Sequence, residues 1–179
     1  MSSLVIPPSE RDHVQGSLDA PVILVEYGDY ECPRCGRAHP IVKQVIETLR
    51  DQLGFVFRNF PLSQIHPHAE RAAEAAEAAD ALGGPEKFWE MHDALFENQE
   101  ALGGEDLVFY AHELGLDEKQ VALALRTREF APRVREDFIG GVRSGVNGTP
   151  TFFINGERYD GDWTNVRVFA SALVAAVGV

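Results

Sequence analysis

The chain has 179 residues, of which 45% are hydrophobic, enough for one compact domain or for one domain with a second unit inserted into it. The 16 Lys and Arg against 28 Asp and Glu give a formal net charge of −12 without a basic cluster, so nucleic acid is not expected as a partner. No apolar run approaches the roughly 18 residues of a membrane span, and the start of the sequence lacks the pattern of a signal peptide, so we expect a cytoplasmic protein.

The first predicted unit is a strand, a helix and a second strand. Pro21–Tyr27 is a β-branched run without alternation, which is typical of a strand buried on both faces, and Gly54–Phe60 has the same character. Between them, apolar residues recur in Cys32–Leu49 at the spacing of one helix face. This order predicts a right-handed crossover between two parallel strands.

The middle of the chain, residues 63–144, differs in kind from the part before it. About five helical segments are separated there by Gly and Pro, and the pattern contains no convincing strand. We therefore predict an inserted helical subdomain at 63–144, which divides a core into a first part, 1–62, and a second part, 145–179. We expect the inserted helices to pack over the end of the core that carries the cysteines.

The last part of the chain predicts a hairpin followed by a helix. Asn155 and Gly156 stand between two short strand-like runs, and both residue types accept the positive φ of a two-residue turn. An apolar face then begins at Val166, and Thr164 is the candidate N-cap of that helix.

The only two cysteines, Cys32 and Cys35, stand at CxxC spacing at the predicted start of the first helix. A helix N-terminus offers positive potential and free N–H groups that stabilise a thiolate. Pro33 suits the first helical position, and Arg34 places a positive charge next to the thiol, whereas Glu31 opposes the thiolate. Cys35, one turn later, is placed to attack a mixed disulfide formed at Cys32.

Half of a zinc site and a pair of inert core cysteines are the alternatives for this motif. Structural zinc needs two further ligands, but there is no second cysteine pair. The histidines show no ligand spacing except the weak pair His66 and His68. A core role gives no reason for a proline between the cysteines at a helix start. We therefore expect neither a metal nor a cofactor.

With these motifs the chain resembles the DsbA-like disulfide oxidoreductases, which have an α/β thioredoxin-like fold, a central sheet flanked by helices, with an inserted all-helical subdomain. In that family a CxxC pair opens a helix after the central strand, as "YECPRC" does here, and a cis-proline that leads a strand faces the pair, for which Thr149-Pro150 is the match. Glu26 matches an acid six residues before the first cysteine, and Pro40 matches a proline that kinks the active-site helix. The dipeptide Pro33-Arg34 differs from the Pro-His of the best-known members.

The resemblance implies a thiol-disulfide oxidoreductase in which Cys32 attacks, Cys35 resolves and Glu26 relays the proton of Cys35. The substrates it implies are protein thiols and disulfides, or low-molecular-weight thiols such as glutathione. The predicted catalytic residues are Cys32, Cys35, Pro150 and Glu26, and the predicted substrate contacts are Thr149, Pro33 and Arg34.

Several alternatives remain beside this interpretation. Pro150 could be an ordinary trans-proline at the start of a strand. Glu26 could be a carboxylate at the end of a strand whose hydrogen bonds are satisfied. His39, one turn beyond Cys35, is either a neighbour of the cysteine pair or a partly buried helix residue. Glutathione-dependent transferases and isomerases of the kappa type share the inserted-helix fold, but they typically have serine where this chain has Cys32. A non-enzymatic redox-sensing module is the third hypothesis.

Overall fold

The computed structural model describes residues 2–178. In this part of the chain there are five strands and seven α-helices, with one short 3₁₀ turn, Arg50–Gln52, after the first helix. The elements in chain order are β1 (His13–Gln15), β2 (Val22–Gly28), α1 (Pro33–Leu49), β3 (Leu53–Asn59), α2 (Ala69–Gly83), α3 (Pro85–Glu97), α4 (Gly104–Glu113), α5 (Glu118–Thr127), α6 (Ala131–Arg143), β4 (Thr151–Ile154), β5 (Glu157–Tyr159) and α7 (Val166–Ala175).

The strands form one mixed sheet in the order β1-β3-β2-β4-β5, with β2 at its centre. β2 and β3 are parallel with α1 between them in the chain, which confirms the predicted parallel pairing, and the other neighbouring pairs are antiparallel. The sequence did not predict β1, because three residues are too short for a periodic pattern. At the hairpin, Asn155 and Gly156 both have positive φ, as predicted.

Both faces of the sheet are buried, which explains why its strands lack an alternating pattern. On one face, Leu24, Phe55 and Phe152 join a large apolar cluster with residues of α1, α3 and α7. On the other, Tyr27 and Phe153 belong to a smaller cluster against which Phe138 of α6 packs. Successive side chains of each strand point to opposite faces of the sheet, and both sets are buried.

The five helices α2 to α6 lie between β3 and β4 in the chain, within the stretch predicted to be helical. Alanines on α2, among them Ala72, Ala75, Ala76 and Ala79, are fully buried, which lets the neighbouring helices approach closely. The division into a core and an inserted subdomain stays a prediction. None of the described helices is long and apolar enough to cross a membrane.

The predicted N-cap of the last helix is wrong by one residue. Asn165 caps α7, since its side-chain oxygen accepts hydrogen bonds from the backbone N–H groups of Arg167 and Val168. The hydroxyl of Thr164 instead donates to the carboxylate of Asp162. The Thr164 hydroxyl therefore binds a nearby carboxylate instead of capping the helix.

Candidate active site

The sheet brings the cysteine motif and Pro150 to the same edge. Cys32 is the N-cap residue of α1, which follows the carboxyl end of β2. Thr151 at the start of β4 pairs with Tyr27 near that end of β2, so Pro150 lies beside the motif. The sulfur of Cys32 lies 3.6 Å from the carbonyl oxygen of Thr149, across 117 residues of sequence, and donates a hydrogen bond to it when protonated. The Thr149-Pro150 peptide bond is cis.

The two cysteines are free, and their environments differ. Cys32 is 6% exposed and Cys35 is fully buried. The pKa of Cys32 is lowered from 9.0 to about 5, chiefly because the thiol of Cys35 hydrogen-bonds its sulfur; burial opposes this shift, while Thr149 and the backbone N–H groups of Cys35 and Arg34 add to it. Burial, the hydrogen bond to Cys32 and the charge of Glu26 raise the pKa of Cys35 well above its usual value. One thiol is therefore a thiolate at neutral pH while the other holds its proton.

Glu26 is a buried carboxylate in the central strand, 2% exposed. Its Oε1 atom has no hydrogen-bond partner among residues 2–178. Burial, and to a lesser extent the negative charge of Cys32, raises its pKa from 4.5 to about 8. Because Glu26 in turn raises the pKa of Cys35, the carboxylate lies within electrostatic reach of both sulfurs. A group with this pKa can take up and release a proton near neutral pH.

Pro33 and Arg34 are exposed in the first turn of α1, and Pro33 occupies the first helical position. The guanidinium of Arg34 lies over the ring of Trp163, 5.6 Å from its centroid. Arg34 contributes to the lowered pKa of Cys32 through its backbone N–H. The sequence pattern predicts instead that the positive charge of Arg34 stabilises the Cys32 thiolate. In the structure the guanidinium that carries this charge contacts Trp163. That Pro33, Arg34 and Thr149 contact substrate stays a prediction.

Asp29 holds the turn between β2 and α1, and sequence reasoning missed it. One carboxylate oxygen accepts hydrogen bonds from the backbone N–H groups of Glu31 at 2.8 Å and Cys32 at 3.2 Å. The other accepts from the N–H of Leu62 at 2.9 Å and lies 2.7 Å from Nδ1 of His66. The buried carboxylate thus joins the cysteine turn to the loop after β3. An aspartate three residues before a helix N-cap is a signal that could have indicated this role.

Gln99, in the loop between α3 and α4, holds the same turn from the helical segment. Its Nε2 donates to the carbonyl oxygens of Tyr30 at 2.9 Å and Cys32 at 2.8 Å. The sequence carries no signal for this contact, because Gln99 lies 67 residues from Cys32.

The histidines of the weak zinc pair bind carboxylates in the structure. Nδ1 of His66 contacts Asp29, and Nδ1 of His68 lies 2.8 Å from a carboxylate oxygen of Glu31. Glu31 also accepts a hydrogen bond from the backbone N–H of His68, so both carboxylate oxygens of the acid beside Cys32 contact His68. His39 is buried in α1, and a role for it in the dithiol chemistry stays a prediction.

Comparison with known proteins gives a family match over most of the chain. The thioredoxin family matches residues 8–169. A protein named Na⁺/H⁺ antiporter NhaA 1, from Salinispora arenicola, is 44% identical over 174 residues, which cover 97% of this chain and 26% of that protein. The chain spans about a quarter of the length of the curated relatives it matches.

Solved structures match the whole architecture at lower sequence identity. Oxidised BdbD from Bacillus subtilis superposes with a TM-score of 0.85 at 24% identity, over 98% of each chain. A thioredoxin-like oxidoreductase from Silicibacter pomeroyi superposes with a TM-score of 0.79 at 25% identity, over 94% of this chain and 93% of the other.

Proposed function

The chain belongs to the thioredoxin family and has the fold of the DsbA-like thiol-disulfide oxidoreductases, and from this premise we propose that it exchanges disulfides with protein thiol substrates through Cys32 and Cys35. The observation that carries the proposal is the contrast between the two thiols. Cys32 has a pKa of about 5 at a helix start, and Cys35 is buried behind it with a raised pKa.

In the reductive direction, the Cys32 thiolate attacks a substrate disulfide. A bond forms between Cys32 Sγ and one substrate sulfur, and the other substrate sulfur leaves as a thiolate. Cys35 then loses its proton and attacks Cys32 Sγ, which releases the second substrate thiolate and closes the Cys32–Cys35 disulfide. Two electrons pass to the substrate, and the reverse sequence oxidises a substrate dithiol.

The second step requires a proton acceptor, since the raised pKa of Cys35 keeps it protonated at neutral pH. We assign this role to Glu26, whose pKa of about 8 is close to the working pH of such a base. The structure also supports a place for the substrate main chain beside the segment that leads into β4, where the carbonyl of Thr149 meets Cys32. Pro33 and Arg34, exposed beside the thiolate, are the proposed side-chain contacts.

Two turnover assays test the proposal: reduction of insulin, and oxidative refolding of a protein with scrambled disulfides. We expect the wild-type chain to turn over in at least one of them. Cys32→Ser should abolish turnover, and Cys35→Ser should accumulate a mixed disulfide with the substrate. Glutathione conjugation that survives in Cys35→Ser would favour a transferase of the kappa type instead, and a wild-type chain inactive in both assays would overturn the enzymatic proposal.

The second candidate is a redox-responsive module, in which the Cys32–Cys35 state changes a binding surface. One observation favours it: relatives 44% and 42% identical to this chain carry the matched part as about a quarter of a longer protein. The antiporter activity in their names is not proposed for this chain, because it belongs to the whole of those proteins. Absence of turnover together with a redox-dependent partner would support the module. A cytoplasmic location is kept as a proposal.

A further inference from the structure

Three side chains of metal-ligand type meet between α1 and α3, one helical turn beyond Cys35. They are His39 of α1 and the adjacent His92 and Asp93 of α3, and one ligand atom from each lies within 4.8 Å of the others. His39 is 7% exposed and His92 is 4% exposed, while the Asp93 side chain keeps 35% of its surface in solvent. Two buried imidazoles and a partly open carboxylate thus lie close together.

The ring nitrogen Nε2 of His39 is buried and has no hydrogen-bond partner within the described residues. It lies 3.4 Å from Oδ1 of Asp93, yet the geometry is not that of a hydrogen bond. Two ligand atoms about 2.0–2.2 Å from a tetrahedral zinc ion are about 3.3–3.6 Å apart, so the spacing of the His39 and Asp93 atoms fits two ligands of one ion, and a ligand atom of His92 lies within 4.8 Å of one from each of the others. A buried polar atom without a partner is costly, and an ion between the two groups would supply the missing contact.

The contact between Tyr30 and His92 is of the kind that orients metal ligands. The hydroxyl of Tyr30 lies 2.9 Å from Nδ1 of His92. In the tautomer with the proton on Nδ1, that nitrogen donates to the hydroxyl and Nε2 has a free lone pair for a metal. Metal binding requires the neutral imidazole of each histidine, with one ring nitrogen free to coordinate.

The site opens to solvent through a cleft of about 240 Å³, lined by all three residues and by Gln15, Lys43 and Glu47 among others. This volume has room for water beside an ion. Lys43 approaches Asp93 closely, with its Nζ 3.2 Å from Oδ2, and so competes with a cation for that carboxylate. Half of the Lys43 side chain is exposed, so the ammonium can move away into solvent.

We propose that His39, His92 and Asp93 bind one divalent transition-metal ion of the zinc class, with water from the cleft as the fourth ligand. Two imidazole nitrogens and one carboxylate oxygen suit Zn²⁺, Cu²⁺ or Ni²⁺, whereas Mg²⁺ and Ca²⁺ take oxygen ligands. The ion would join α1, which carries the cysteine pair, to α3 of the helical segment.

The test uses the full chain in its oxidised form, because the Cys32–Cys35 disulfide removes the thiolates as competing zinc ligands. Zn²⁺ is titrated by calorimetry, and Co²⁺ is added separately to read the coordination from its visible absorption. We expect one equivalent of Zn²⁺ and a four-coordinate Co²⁺ spectrum. Asp93→Asn and His39→Gln should each weaken Zn²⁺ binding at least about tenfold.

Two further variants separate this site from adventitious binding. His112→Gln removes an exposed histidine that lies 3.2 Å from Glu118, a matched surface pair, and should leave the affinity unchanged. Lys43→Met frees Asp93 and should raise the affinity severalfold. Should the buried His39→Gln variant fail to fold, the test rests on the Zn²⁺ affinity of the other two variants, which should fall in Asp93→Asn and rise in Lys43→Met. Failure of the wild-type chain to bind Zn²⁺, or an affinity unaffected by Asp93→Asn and Lys43→Met, would overturn the proposal.

Discussion

Glu26 should make the stability of the fold fall as pH rises, and Glu26→Gln isolates this effect. Glutamine keeps nearly the same shape and does not ionise. The folded-state pKa is about 8, above the ordinary value of 4.5, so the folded chain holds the proton more tightly than the unfolded chain does. Stability from this group is therefore fully present below pH 4.5 and is lost progressively as pH rises to 8.

The magnitude follows from the distance between the two pKa values. Each pH unit between them costs about 1.4 kcal/mol, so between pH 4.5 and pH 7 the wild-type chain should lose about 3 kcal/mol relative to the variant. Other titrating groups are common to both proteins and cancel in the difference, apart from the coupling to Cys32. In the oxidised chain the thiolate of Cys32 is absent, and the loss should be smaller, because its charge is the second cause of the shift.

The assay is urea unfolding of both proteins at a series of pH values, with the free energy of unfolding compared at each. Glu47→Gln, which removes an exposed carboxylate from α1, is the control and should show a nearly constant difference from wild type. If the wild-type and Glu26→Gln curves run parallel from pH 4.5 to 8, Glu26 does not carry a raised pKa, and the reasoning about the proton acceptor is wrong with it.

Three further predictions concern the cysteine turn. Iodoacetamide at mildly acidic pH should label Cys32 before Cys35, with a rate that rises through a midpoint near pH 5 because the thiolate is the nucleophile; mass spectrometry of the time course checks this, and equal labelling of both thiols would contradict it. Asp29→Asn should lower the free energy of unfolding by about 2 kcal/mol, since the amide loses the charge and has only one oxygen to accept from both the turn and the N–H of Leu62, while exposed Asp19→Asn should leave it nearly unchanged in the same urea titration. Gln99→Leu removes two hydrogen bonds to buried carbonyl groups and should also cost about 2 kcal/mol, and an unaltered unfolding midpoint would show that the contact is dispensable.

The central strands could be predicted from sequence because they are buried on both faces. An unbroken apolar run such as Val22–Val25 identifies a buried strand by composition alone, and the helix between two such runs requires them to be parallel. The turn at Asn155 and Gly156 was predictable for a local reason, since positive φ restricts the residue types. The proximity of Cys32 to Pro150 was expected only from the family resemblance.

The contacts that hold the site were not predictable, because each depends on residues that the chain brings together from distant elements. Gln99 reaches the carbonyl of Cys32 only once α3 and α4 are placed against the sheet. His39 and His92 show no ligand spacing in sequence, since they lie on two helices that meet only in the fold. A histidine in a sequence does not reveal which carboxylate will face it, as the pairing of His66 with Asp29 shows.

The hydrogen bonds from Gln99 to the cysteine turn also restrict which residue can follow Cys35. A Cβ atom added at Gly36 would overlap the side-chain amide of Gln99, so the two positions compete for one volume. A bulkier residue at position 36 would have to push the amide off the carbonyl oxygens that it holds. The glycine that follows the motif is thus tied to a glutamine in another part of the chain, and we expect the two positions to vary together when relatives are aligned.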